Sequence, residues 1–118
     1  MLVIDTINFE GIHVIYLHGI LTSNTISEFD LFCETEIEKN PEIIALNFKD
    51  VNQIDSISLN HLFKLTKKTS KKNIRLIIYD PMKSIHQIFE VIKLDKVITI
   101  LSKKKFEEDF LKFGNILS

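Results

Sequence analysis

Five short runs of β-branched and aromatic residues punctuate this chain, and after the first two they alternate with segments whose apolar residues recur every three or four positions. A strand period that keeps giving way to a helix period admits few architectures. Strands joined through helices must run parallel, with the helices laid on the sheet faces. The first pair is the exception. Residues 2–9 and 12–18 are separated only by Glu10 and Gly11, which predicts a hairpin with Gly11 supplying a positive φ.

The rest follows in order. Thr25 and Glu28 have the spacing of a capping box, and Ile26, Phe29, Cys33 and Ile37 predict a helix over 25–39 that Pro41 ends. Residues 43–48 are almost wholly apolar, as a strand buried on both faces would be. Residues 49–55 read as a loop. Leu59, Leu62, Phe63 and Thr66 then mark the core face of a helix over 56–71, capped by Asp55 or Ser56 and closed by a left-handed Asn73. A strand over 74–79 follows. Ser84 and Gln87 suggest a second capping box before a helix whose apolar face is Ile85, Ile88, Phe89 and Ile92. A last strand over 97–100 precedes a helix marked by Phe106, Phe110 and Phe113 and ended by Gly114. The expected class is α/β, a mostly parallel sheet with one N-terminal antiparallel strand and four helices, in the order ββαβαβαβα. All 118 residues are expected to form one domain.

Composition excludes several functions. With only three glycines there is no GxGxxG or GxxxxGK[ST], so no phosphate-cradling loop. Fifteen basic against sixteen acidic residues leave a net charge of −1, which argues against nucleic acid as a partner. Cys33 is the one cysteine and falls on a predicted core face, so it reads as packing in a reducing compartment. His13, His18, His61 and His86 show no metal-ligand spacing, and no nucleophile motif is present, so neither metal, cofactor nor catalysis is expected. The N-terminus lacks a basic n-region and no apolar run spans a bilayer, which predicts a cytoplasmic protein. A nucleotide or lipid ligand has no motif behind it.

The informative stretch is 47–59, where a buried strand leads to an acid and two serines at a helix start. Such a helix start carries free N–H groups and a positive partial charge. Read alone, Asp55 and Ser56 are adequately explained as helix caps. Set beside two other segments, the stretch resembles the STAS domain family, which includes the anti-sigma factor antagonists. Residues 17–21 (LHGIL) are similar to that family's L-x-G-x-L segment. Residues 43–48, Val51 and Ile54-Asp55-Ser56, with Leu59, resemble its strand, loop and D-S-x-G-L motif. Residues 89–94 (FEVIKL) resemble its F-x-x-x-G-L segment.

The resemblance implies the STAS fold and a protein that binds an anti-sigma factor of serine-kinase type. In that family the kinase phosphorylates a Ser or Thr two residues after the motif's Asp, and phosphorylation prevents binding. Here that position is Ile57. The motif's glycine is Ser58, the acid that often follows L-x-G-x-L is Thr22, and the later glycine is Lys93. The expected partner surface comprises Leu21, Thr22, Ser23 and Asn24 with Asp55, Ser56, Ile57, Ser58, Asn60, His61 and Lys64. Helix geometry points Ile57 away from the core, above an outer column of His61, Lys64, Lys68 and Lys71, as an apolar anchor beside cations that would suit an acidic partner. Ser56 and Ser58 are the available hydroxyls, and Ser58 as a side chain in place of glycine is expected to crowd an approaching partner. The rival reading is an unphosphorylated accessory subunit of a phospholipid ABC transporter or a stress-sensing assembly.

Overall fold

A computed structural model describes residues 1–111. Strands β1 (Leu2–Phe9) and β2 (Ile12–Leu21) form the hairpin. Its turn places both Glu10 and Gly11 at positive φ, 46° and 84°, the geometry whose twist matches the flanking strands. There follow α1 (Ile26–Glu38), β3 (Ile43–Ile54), α2 (Ser56–Lys71), β4 (Arg75–Tyr79) and α3 (Lys83–Val91). A 3₁₀ turn (Leu94–Lys96), β5 (Thr99–Leu101) and α4 (Lys103–Phe106), continued by a π-helical turn to Leu111, complete the described chain. Phe113 and Gly114, the expected end of the last helix, lie outside the described residues.

The sheet order is β1-β2-β3-β4-β5, antiparallel between β1 and β2 and parallel elsewhere. On one face Ile15, Leu17, Ile44, Leu46 and Ile78 pack with Phe29 of α1, Leu62 of α2 and Phe89 of α3. On the other, Val14, Ala45, Ile77 and Tyr79 pack against Phe106 of α4, whose ring stacks on Tyr79 at 4.1 Å. Cys33 is buried in the first cluster, and burial pushes its thiol pKa up, the state of a packing residue and not of a nucleophile.

Several local expectations are corrected. Residues 49–54 are strand, because β2 also continues past His18 and the two pair in parallel as far as Leu21 and Ile54. β4 stops pairing at Asn47, so this end of β3 is exposed on one side and takes polar residues. That polarity disguised it as loop. Neither predicted serine/threonine capping box at α1 or α3 forms. Thr25 turns its hydroxyl back to the Ile20 carbonyl and the Thr22 N–H, and α3 begins one residue earlier than Ser84, after Met82. The buried residues of α2 are Ser58, Leu62, Leu65 and Thr69, with Leu59, Phe63 and Thr66 only half-buried. The core face is thus rotated from the expected one because α2 also packs along α1. On α3, Ile85 and Phe89 are buried while Ile88 remains exposed.

Asn73 takes the left-handed conformation expected of it, φ 58°. Lys93 takes the same conformation, φ 64°, between α3 and the 3₁₀ turn, where the family pattern has glycine. An L-residue is strained there, by more than glycine's extra chain entropy offsets. Lys93→Gly is expected to stabilise the protein by about 0.5–1 kcal/mol, read as a rise in the urea midpoint. A fall would show that Lys93 is held by contacts that outweigh the strain.

Candidate functional site

Two segments far apart in sequence are joined by one carboxylate. Asp55 sits in extended backbone immediately before α2. Its Oδ1 accepts the Ser58 N–H at 2.8 Å, and its Oδ2 accepts the Ser23 N–H, also at 2.8 Å. The first bond caps α2, and the second fastens the turn between β2 and α1 to the same point. Ser58 closes the capping box: its hydroxyl accepts the Asp55 N–H at 3.1 Å and donates to the Asp55 carbonyl at 2.9 Å. The turn is braced from its other side by Thr25, whose Oγ1 accepts the Thr22 N–H at 3.1 Å.

The outcome is a small surface with defined members. Ser23 and Asn24 from the turn, and Ser56, Ile57, Asn60 and Lys64 from α2, are exposed. Ile57 is 48% exposed, as its helical phase required. Other expected members do not reach the surface. Leu21 and Ser58 are 0% exposed and Thr22 is 4% exposed. Leu21 ends β2 pointing into the core, and Thr22 is turned inward by the Thr25 brace. Ser58 replaces glycine with a side chain that faces the protein interior, so it completes the cap and does not crowd a partner. Its hydroxyl is inaccessible to a kinase.

The outer column of α2 is also partly committed. His61 Nδ1 lies 2.6 Å from Asp30 Oδ2 on α1, and Lys68 Nζ lies 3.0 Å from Glu34 Oε1. These two side chains meet acids of their own chain. The remaining histidines with polar contacts are similarly engaged. His13 meets the buried Glu36 at 2.8 Å, and His18 lies between Asp50 at 3.0 Å and Asp5 at 3.6 Å. The link from Asp55 to the Ser23 N–H carries no sequence signal, because any residue supplies a backbone N–H.

The two N–H groups that Asp55 accepts, Ser23 first and Ser58 second, hold its pKa below the ordinary 3.8. The sign follows: a lowered native pKa stabilises the fold above the unfolded value and is lost as pH falls through the native one. Asp55→Asn is therefore expected to lower Tm at pH 7. That gap should narrow below about pH 4 as the wild-type carboxylate protonates. A gap unchanged at acid pH would contradict the charge-assisted staple.

A five-stranded sheet, antiparallel only at β1 and parallel elsewhere, with helices on both faces defines a small α/β domain. The sequence profile of the STAS domain matches residues 4–108, and the chain belongs to that family. No curated protein sequence matches it significantly. Among solved structures, it is similar to a putative anti-sigma factor antagonist from Thermotoga maritima, with 20% identity, 89% of this chain and 92% of that chain covered, and a TM-score of 0.79. It is similar also to an anti-sigma factor antagonist from Mycobacterium paratuberculosis (14% identity, 86% of each chain covered, TM-score 0.78). A third is a sulfate transporter family protein from Wolinella succinogenes (12% identity, 80% of each chain covered, TM-score 0.71). At these identities the likeness establishes the shared fold. Among the described residues, no helix is long and apolar enough to cross a membrane.

Proposed function

We propose that this chain is a cytoplasmic, non-catalytic regulator that binds an anti-sigma factor of serine-kinase type through the start of α2. The observation that carries this reading is the Asp55 staple. It holds the turn at Ser23 and Asn24 against α2 and leaves Ile57 exposed, at the position where the resembling family carries its phosphoacceptor. An exposed β-branched residue between Ser56 and Asn60 on α2, beside the point where Asp55 holds the Ser23 turn, makes an apolar anchor in polar surroundings. Asp55 itself contributes as the staple and Lys64 as the cation of the α2 column nearest Ile57 that meets no acid among the described residues, while His61 is held by Asp30.

The phosphorylation switch is altered. Ile57 has no hydroxyl and that of Ser58 is buried in the cap, which leaves Ser56 as the accessible hydroxyl in the first turn of α2. A phosphate there would add about two negative charges beside Ile57. Incubation with the cognate kinase and ATP is expected to label Ser56 or nothing. Phosphate on Ser58 would contradict this account.

Ile57 equally favours a second reading, an unphosphorylated accessory STAS subunit of a transporter or stress-sensing assembly. A pull-down followed by partner identification separates the two. The partner is expected to be lost with Ile57→Asp and kept with Lys104→Asp on the far face. Ile57→Asp should fold normally, because the site is exposed and a carboxylate is favoured in a helix's first turn. Unchanged binding would remove Ile57 from the interface.

A further inference from the structure

We propose that the open edge of β1, with the groove between β1 and α1, takes up an extended basic–apolar peptide segment by strand addition. β1 ends the sheet. The Ile20 N–H donates to the Met1 carbonyl at 3.2 Å, and the β1–β2 register runs unbroken from Leu2/Gly19 to Phe9/Ile12. Antiparallel bonding alternates, so Val3, Asp5 and Ile7 bond to β2 while Leu2, Ile4, Thr6 and Asn8 direct their N–H and C=O groups outward. Natural edge strands are blunted by lysine, proline, bulges or brevity. β1 is 8 residues long, contains neither lysine nor proline, and has no register shift.

Beside this edge lies an apolar groove of about 450 Å³ lined by Leu2, Ile4, Leu31 and Phe32, with Glu28 and Thr35 at its border. Leu31 is 67% exposed on the α1 side. Among the described residues nothing covers it. An added strand would complete the backbone bonding of β1 and lay every second side chain over Leu31 and Phe32.

Charge selects the occupant. No lysine or arginine precedes Lys39, so all 15 basic residues lie beyond α1. Glu28 borders the groove, Asp5 is exposed on β1 beside His18, and Glu10 is exposed in the hairpin turn, with no lysine or arginine on β1, β2 or α1. A second copy would bring the same acids together, whereas a segment alternating apolar and basic residues meets them with opposite charge. This surface is separate from the α2 start, and its test does not depend on the anti-sigma partner.

The test is an amide NMR and fluorescence-anisotropy titration of the full chain with an eight-residue peptide of alternating valine and lysine, with a valine–glutamate peptide as control. The valine–lysine peptide is expected to shift the amides of Leu2, Ile4, Thr6 and Asn8 and to bind at least about tenfold more tightly than the control. Leu31→Lys should weaken it about tenfold, and so should Thr6→Pro, which removes one outward N–H. Both variants are checked for folding by circular dichroism. Equal affinity for the two peptides, no binding, shifts confined to α2, or concentration-dependent dimerisation through β1 would each overturn the proposal.

Discussion

Phe89→Ala is expected to cost about 3–5 kcal/mol of unfolding free energy and to lower Tm by about 10–20 °C. Phe89 is 0% exposed and meets the Phe48 ring edge-to-face, with centroids 5.7 Å apart and planes at 67°. Phe48 belongs to β3, the central strand, so this pair anchors the short helix α3 to the middle of the sheet. Removing the ring forfeits its transfer energy and its aromatic contact, and it leaves a cavity between elements too rigid to collapse. Since a domain of this size is stabilised by only about 5–15 kcal/mol, the variant should be largely unfolded by modest urea. Phe89→Leu, which keeps most of the volume, should cost about 1.5 kcal/mol. Chemical denaturation checks both. A loss under about 1 kcal/mol for the alanine variant would mean that α3 is held elsewhere.

Gly19→Ala is the second large effect, about 2–3 kcal/mol by the same measurement. Gly19 has φ 117°, outside the region an L-residue tolerates, and a Cβ there would collide with the Met1 carbonyl oxygen. That oxygen accepts the Ile20 N–H, so the clash also breaks the first bond of the β1–β2 ladder. Gly11→Ala is the comparison. Its φ of 84° is strained too, but the added Cβ would meet only the Glu42 side chain, at 3.2 Å, which can move. It should cost about 1 kcal/mol. Gly19 also sits at a register shift in the β2–β3 pairing, between Gly19 and Ile20.

The elements legible in the sequence were those whose period matched their burial. α1 buries one face at helical spacing and β4 is buried almost throughout, and the α/β order followed from such elements. The hairpin was legible from Glu10-Gly11, and the left-handed Asn73 from its place after α2. What failed did so for identifiable reasons. The outer half of β3 pairs on one side only, so its polar residues resembled loop. The Thr25 hydroxyl found nearer partners in the turn than in its helix. α2 rotated because a second helix, and not the sheet alone, shares its buried face.

The candidate site was legible as two segments but not as a surface. Asp55 and Ile57 could be placed by motif and helical phase. Thr22 is held inward by its N–H bond to Thr25 and Ser58 by its capping box with Asp55, while the bond that joins the two segments, from the Ser23 N–H to Asp55 across 32 residues, is one that no local pattern encodes. The same holds for His61, which spacing alone put on the outer column and which Asp30 claims.

The most direct test of the account is an amide NMR titration of the full chain with its purified anti-sigma partner. The account predicts shifts concentrated at Ser23, Asn24, Ser56, Ile57, Asn60 and Lys64, and a loss of affinity of at least about tenfold in Ile57→Asp. Shifts confined to α4 or the β1 edge, with Ile57→Asp binding as the wild type does, would contradict it.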